Sequence, residues 1–145
     1  MTDVPAGLLL TVDQDIEIAA PPDGVFDALL KQLGERFGPP GGEAMSMQLE
    51  PWPGGRWYRD LGNNEGHLWG HVQVMKRPTL LEIVGPLFMS YPAISHMQMR
   101  LSASGEGTRL ALRHQALGMI QDDHRQGVGP GWAHFLEGVR NHAER

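Results

Sequence analysis

The stretch Gly66–Pro86, GHLWGHVQVMKRPTLLEIVGP, decides how the rest of the chain is read. It holds two runs of strand character separated by Arg77-Pro78, a residue pair that neither a helix nor a central strand tolerates in its interior. The first run, His67 to Lys76, follows Gly62-Asn63-Asn64-Glu65-Gly66, a strong turn signal, and so pairs backward with Arg56 to Asp60 as a hairpin. The second, Leu80 to Val84, is brief and ends at Gly85-Pro86. Beyond it Leu87-Phe88-Met89-Ser90-Tyr91-Pro92 is irregular and apolar, so that loop must cover or enter something.

The same alternation extends outward in both directions. Met97, Met99 and Leu101 alternate with His96, Gln98 and Arg100; after Gly105-Glu106-Gly107, Leu110, Leu112 and His114 alternate with Arg109 and Arg113. These form a last hairpin. Upstream, Met45, Met47 and Leu49 alternate up to Pro51, and Asp13 to Ile18 places Ile16 and Ile18 on one face. Between those strands Pro21-Pro22 suits a first helical turn, and Val25, Phe26, Leu29, Leu30 and Leu33 recur at helical spacing until Gly34. At the other end Asp122 to Gln126 reads as a short turn and Gly127, Gly129 and Pro130 as breakers. Trp132, Phe135, Leu136 and Val139 then define a closing helix. The order of strand, helix, meander and helix is α+β.

Composition bounds what this fold can do. The 145 residues suit one domain, residues 1–145, able to bury roughly 70% of its unfolded surface without staples. With no cysteine, disulfides, thiolate metal sites and cysteine nucleophiles are excluded. Twelve basic against 17 acidic residues give a net charge of −5, with no basic run, which argues against a nucleic-acid footprint. The apolar run Leu8 to Leu10 lacks a basic flank and stops at Asp13, so neither a signal peptide nor a membrane span is expected, and cytoplasmic residence is the default.

Five segments carry a resemblance to a known family: IEIAAPPDGVFDALL from Ile16, WPGGRWYRD from Trp52, the Gly66–Pro86 stretch, GTRLALRHQALG from Gly107 and GWAHFLEGVRNHAE from Gly131. In this order they resemble the START/Bet v 1-like (SRPBCC) superfamily, in the branch similar to activators of the heat-shock-protein-90 ATPase. The resemblance implies a helix-grip fold, a curved antiparallel sheet of six or seven strands wrapped around a long C-terminal helix. It also implies a cavity between them for hydrophobic molecules. It brings no shared catalytic triad, metal motif or cofactor.

In that architecture the inward faces are Met47, Trp57, Met97, Met99 and Leu112 on the strands and Trp132, Phe135 and Leu136 on the helix, lining either a ligand cavity or a filled core. His114 points inward too. It is either a hydrogen-bonded core histidine or a group that orients a ligand or moves a proton. Arg59 shares a face with Trp57 and is the candidate cation for a carboxylate or phosphate head group, unless its stem carries it to the rim. Metal binding is not expected, because His67 and His71 on one strand stand roughly 13 Å apart. Trp69 falls opposite Leu68, Val72 and Val74, so it is exposed on the outer sheet face unless a bulge turns it inward.

Three functions follow as expectations. One is the binding of an apolar or amphipathic small molecule. Another is a polyketide cyclase/aromatase-like enzyme using His114 and Arg59, which requires the two to converge. The third is a chaperone cofactor or homodimer that uses the outer face near Trp69, or the loop at Leu87 to Tyr91, to meet a protein partner.

Overall fold

Strict alternation in the C-terminal hairpin builds the centre of the sheet. The computed structural model describes residues 4–145, and in it β6 (Ala93–Ser104) and β7 (Gly107–Gly118) pair over their whole length, with Met97 opposite His114 and Met99 opposite Leu112. All four of these side chains are buried on the concave side. On the other side of β7 lies β1 (Leu9–Ile18), and beyond β6 follow β5 (Leu80–Gly85), β4 (Glu65–Lys76), β3 (Arg56–Gly62) and β2 (Met47–Leu49), every pair antiparallel. The convex face is charged along the middle of β1, β6 and β7, while Leu9, Ile94 and Leu117 stand exposed side by side at one end. Asp13 pairs with Arg113 at 2.9 Å, Asp15 with Arg109, and His96 with Glu82 at 3.1 Å, contacts that add solubility more than stability.

Two helices cover the concave face. In α1 (Pro22–Leu33) the stripe Val25, Phe26, Leu29 and Leu33 is buried, and Gly34 closes the last turn through its amide to the Leu30 carbonyl. Trp57 on β3 reaches across to donate its indole N–H to the Leu33 carbonyl at 2.8 Å, satisfying an end-of-helix acceptor inside the core. The second helix, α2 (Asp122–Ala143), buries Val128, Trp132, Phe135, Leu136 and Val139 against the sheet and α1. No helix of the described residues is long and apolar enough to cross a membrane.

Three boundaries differ from those the sequence suggests. Helix α2 begins at Asp122 and runs through Gly127, Gly129 and Pro130 without a break. Asp122 and Asp123 favour its N-terminus through the macrodipole. Pro130 forfeits only one ladder bond to residue 126, and Gln14 on β1 donates to the neighbouring Gly129 carbonyl at 2.8 Å. Strand β2 is shorter than Met45–Glu50 because Ser46 takes a left-handed conformation, φ 56°. Strand β1 starts earlier, so the apolar Leu8–Leu10 run becomes its entry.

The most consequential difference is a bulge. Opposite β3, Trp57 pairs with Gly70 and Tyr58 with Leu68, leaving Trp69 as the extra residue. The shift turns Trp69 inward, 5% exposed, and puts Leu68 out at 50%. Gly70 is obligatory there, since a Cβ would stand 2.8 Å from the Val84 carbonyl oxygen. An outer-face partner surface built on Trp69 is therefore corrected: that tryptophan belongs to the interior.

Candidate functional site

Deep in the grip the inward side chains pack on one another. Met47, Trp57, Met97, Met99, Leu112, Phe135 and Leu136 are all buried within one continuous cluster. His114 sits among them fully bonded, and the pattern fixes its proton. Trp132 Nε1 can only donate, so at 3.0 Å the His114 Nδ1 accepts, which places the hydrogen on Nε2 facing Ser95 Oγ at 2.9 Å. Burial pushes the imidazole down to about 4, so it is neutral near pH 7. Both ring nitrogens are thus occupied in tying α2 to β6 and β7. Neither faces an open space.

Room opens instead at one end, where α2 enters. There Phe37, Trp69, Phe88 and Trp132 surround an apolar hollow of about 350 Å³, roofed by Pro39-Pro40 and closed on one side by the first turns of α2. The aromatic rings meet edge to face: Phe37 lies 5.4 Å from Trp69, and Trp69 lies 5.9 Å from Phe88. Glycine makes the space on the helix side. Asp123, Gly127 and Gly131 succeed one another at i, i+4 spacing, and a Cβ placed on either glycine would meet nothing within 4 Å. Of the inward residues expected from sequence, Trp132 alone lines this hollow.

The apolar loop after β5 does enter the interior. Leu87 and Met89 are buried as anchors, with the Leu87 amide bonded to the Trp69 carbonyl at 2.7 Å. Leu87 holds φ 54°, a conformation uncommon for leucine, and Phe88 between the anchors projects into the site. At the rim the Tyr91 hydroxyl and His124 Nδ1 are 2.8 Å apart with their rings stacked, linking the loop to α2.

Arg59 does not meet His114. It lines a second hollow, of about 390 Å³, with His67, Leu68, Leu87, Met89 and Ser90, which shares only Met45, Trp69 and Phe88 with the first. A cyclase-type pairing of His114 with Arg59 is therefore not assembled. A wider groove of about 700 Å³ on the convex face runs among Asp13, Asp15, Arg109 and Arg113, whose charges already neutralise one another.

The residues that sequence reasoning missed are Phe37, His124, Gly127 and Gly131, while Trp69 and Phe88 are the tryptophan expected inside only with a bulge and a member of the loop expected to cover or enter something. By local pattern most of them fall in loops, turns or breakers, and their contribution arises only when the bulge and the continuous α2 bring them together. An isolated glycine within a strand, Gly70, was the available signal for the bulge.

Solved structures share the architecture. A protein from Rhizobium leguminosarum superposes with a TM-score of 0.73 at 17% identity, covering 94% of this chain and 95% of that one. CalU16 from Micromonospora echinospora gives 0.65 at 22% identity, covering 92% of this chain and 75% of its own. The structure of Ara h 8.0201 gives 0.66 at 12%, covering 93% and 97%. These show the helix-grip fold. No curated protein matches in sequence. Residues 19–144 match the family described as Activator of Hsp90 ATPase homolog 1-like protein, spanning α1, β2 to β7 and all of α2, and the chain belongs to that family.

Proposed function

We propose that this chain binds an apolar or amphipathic small molecule in the hollow between the sheet's open end and the first turns of α2. The observation that carries this is the combination of aromatic walls with a glycine-faced helix. Phe37, Trp69, Phe88 and Trp132 supply apolar area, and Gly127 and Gly131 leave space that any larger residue would fill. A volume of about 350 Å³ lies at the small end of ligand sites, which suits a ring-sized body over a long lipid. The inward residues deeper in the grip are buried in one packed cluster, so the guest sits at the mouth of the grip, against Trp132.

A neutral environment-sensitive naphthalene dye, prodan, tests it. Saturable blue-shifted emission with one site per chain is expected for the native protein, and its loss in Gly131→Leu while the far-ultraviolet circular dichroism is kept. Absence of saturable binding by the native protein, or undiminished binding by Gly131→Leu, would refute the proposal.

A further inference from the structure

The hollow that holds Arg59 stands next to the apolar one, and Met45, Trp69 and Phe88 form the wall they share. Its chemistry is different. Arg59 is half-buried, and its Nε is held by the Met45 carbonyl at 3.1 Å, which fixes the guanidinium plane. Among the described residues no carboxylate pairs with it, as also with Arg100 and Arg125, whereas Arg56, Arg77, Arg109, Arg113 and Arg140 have acidic partners. Arg100 instead bonds Gln98 and Arg125 the Leu9 and Gly7 carbonyls, while the Arg59 Nη groups have no such partner among the described residues. His67 pairs with Arg59 across the β3–β4 ladder and also lines this hollow, and none of the lining side chains is acidic. An arginine whose Nη groups are unengaged, held at the edge of a partly apolar chamber, is a ready fork for a planar anion.

We infer that Arg59 and its hollow form the anion subsite of a two-chamber site, which takes a small amphipathic organic anion with its ring in the aromatic hollow and its carboxylate on the guanidinium. This rests on the ligand site proposed above. The charge layout gives the guest one orientation: Asp123 borders the aromatic hollow at the α2 rim and repels an anionic end, while Arg59 attracts it from the opposite side. Of the three shared residues Phe88 is the one on a loop, and its side chain must turn aside for one molecule to reach both. It is half-buried on a loop pinned at Leu87 and Met89, and its ring packs against Trp69, His114 and His124, so opening the passage takes a rotamer change that gives up those contacts.

The experiment is calorimetric titration with 4-phenylbutyrate and its uncharged isostere 4-phenylbutanol, on the native protein, Arg59→Gln and Arg59→Lys. The native protein is expected to prefer the carboxylate by about tenfold or more, the scale of a charge-assisted hydrogen-bonded pair. Arg59→Gln should abolish that preference while leaving phenylbutanol and prodan affinities unchanged, and Arg59→Lys should restore part of it. Equal affinity of the native protein for the two compounds, or a preference that survives in Arg59→Gln, overturns the anion subsite. If prodan binds and the carboxylate preference is absent, the subsite alone fails; if neither prodan nor phenylbutanol binds, the apolar pocket fails and the subsite with it.

Discussion

Replacing Gly127 and Gly131 together by alanine should make the protein more stable and a poorer binder, two effects that move apart only if the helix faces empty space. Glycine in a helix interior costs about 0.8–1.0 kcal/mol relative to alanine. With nothing within 4 Å of either added Cβ, the full propensity gain is realised, about 1.5–2 kcal/mol for the pair. For a chain of this size that raises Tm by about 3–8 °C. The two methyls also remove roughly 60 Å³, two water volumes, from a hollow of about 350 Å³. A guest that fills it is then overpacked by about 1–3 kcal/mol, weakening binding some 5- to 150-fold. Scanning calorimetry and the prodan titration read the two quantities on the same samples. Gly129→Ala is the control, since that position sees only the Gln14 amide at 3.9 Å and does not line the hollow. It should gain stability and bind as before. A fall in Tm for the double variant would mean the space is occupied, and a rise with unchanged affinity would mean the hollow is not where the guest sits.

Three further outcomes follow from the packing. His114 takes up a proton near pH 6.5 when unfolded and only at about 4 when folded, so the unfolded state binds more protons between those values. Stability is therefore whole above pH 6.5 and declines by about 3 kcal/mol down to pH 4, and urea titrations across that window should lose most of this slope in His114→Gln; an unchanged slope would contradict the buried neutral assignment. Trp57→Phe leaves the Leu33 carbonyl without its donor and should cost about 1–3 kcal/mol, more than the change in apolar area would suggest; a neutral result in denaturant unfolding would refute the role of that bond. Gly70→Ala drives a Cβ to 2.8 Å from the Val84 carbonyl and should destabilise by at least 1 kcal/mol, with Trp69 fluorescence shifting to the red as the bulge relaxes; a fully stable variant would show that the bulge does not need glycine.

Much of the fold was legible because period-two alternation carries through the C-terminal hairpin. Met97, Met99, Leu110 and Leu112 announce both the strands and the face they bury, and their register follows from one Gly-Glu-Gly turn. Legibility failed where local signals compete with tertiary ones. Gly127, Gly129 and Pro130 read as breakers by propensity, yet α2 is continuous because its apolar side is held by the sheet and Gln14 meets the Gly129 carbonyl. Trp69 obeys alternation only until the bulge resets it, and a bulge is written in the sequence by nothing stronger than a mid-strand glycine. The candidate site was the least legible part. Its walls come from the α1–β2 loop, a β4 bulge, the β5–β6 loop and the α2 entry, four segments with no shared sequence pattern, whereas the inward stripes that are easy to read turn out to fill the core.

The measurement that bears most directly on the whole account is the set of four tryptophan indole N–H signals in a ¹⁵N–¹H spectrum during titration with a small aromatic guest. Trp69 and Trp132 line the hollow, Trp57 is packed behind Trp69 at 5.1 Å between ring centroids, and Trp52 is exposed in the β2–β3 turn. Saturable shifts of the Trp69 and Trp132 signals, a smaller one for Trp57 and a stationary Trp52 are the predicted result. Four unmoved signals at saturating guest, or movement confined to Trp52, would contradict a binding site at the mouth of the grip.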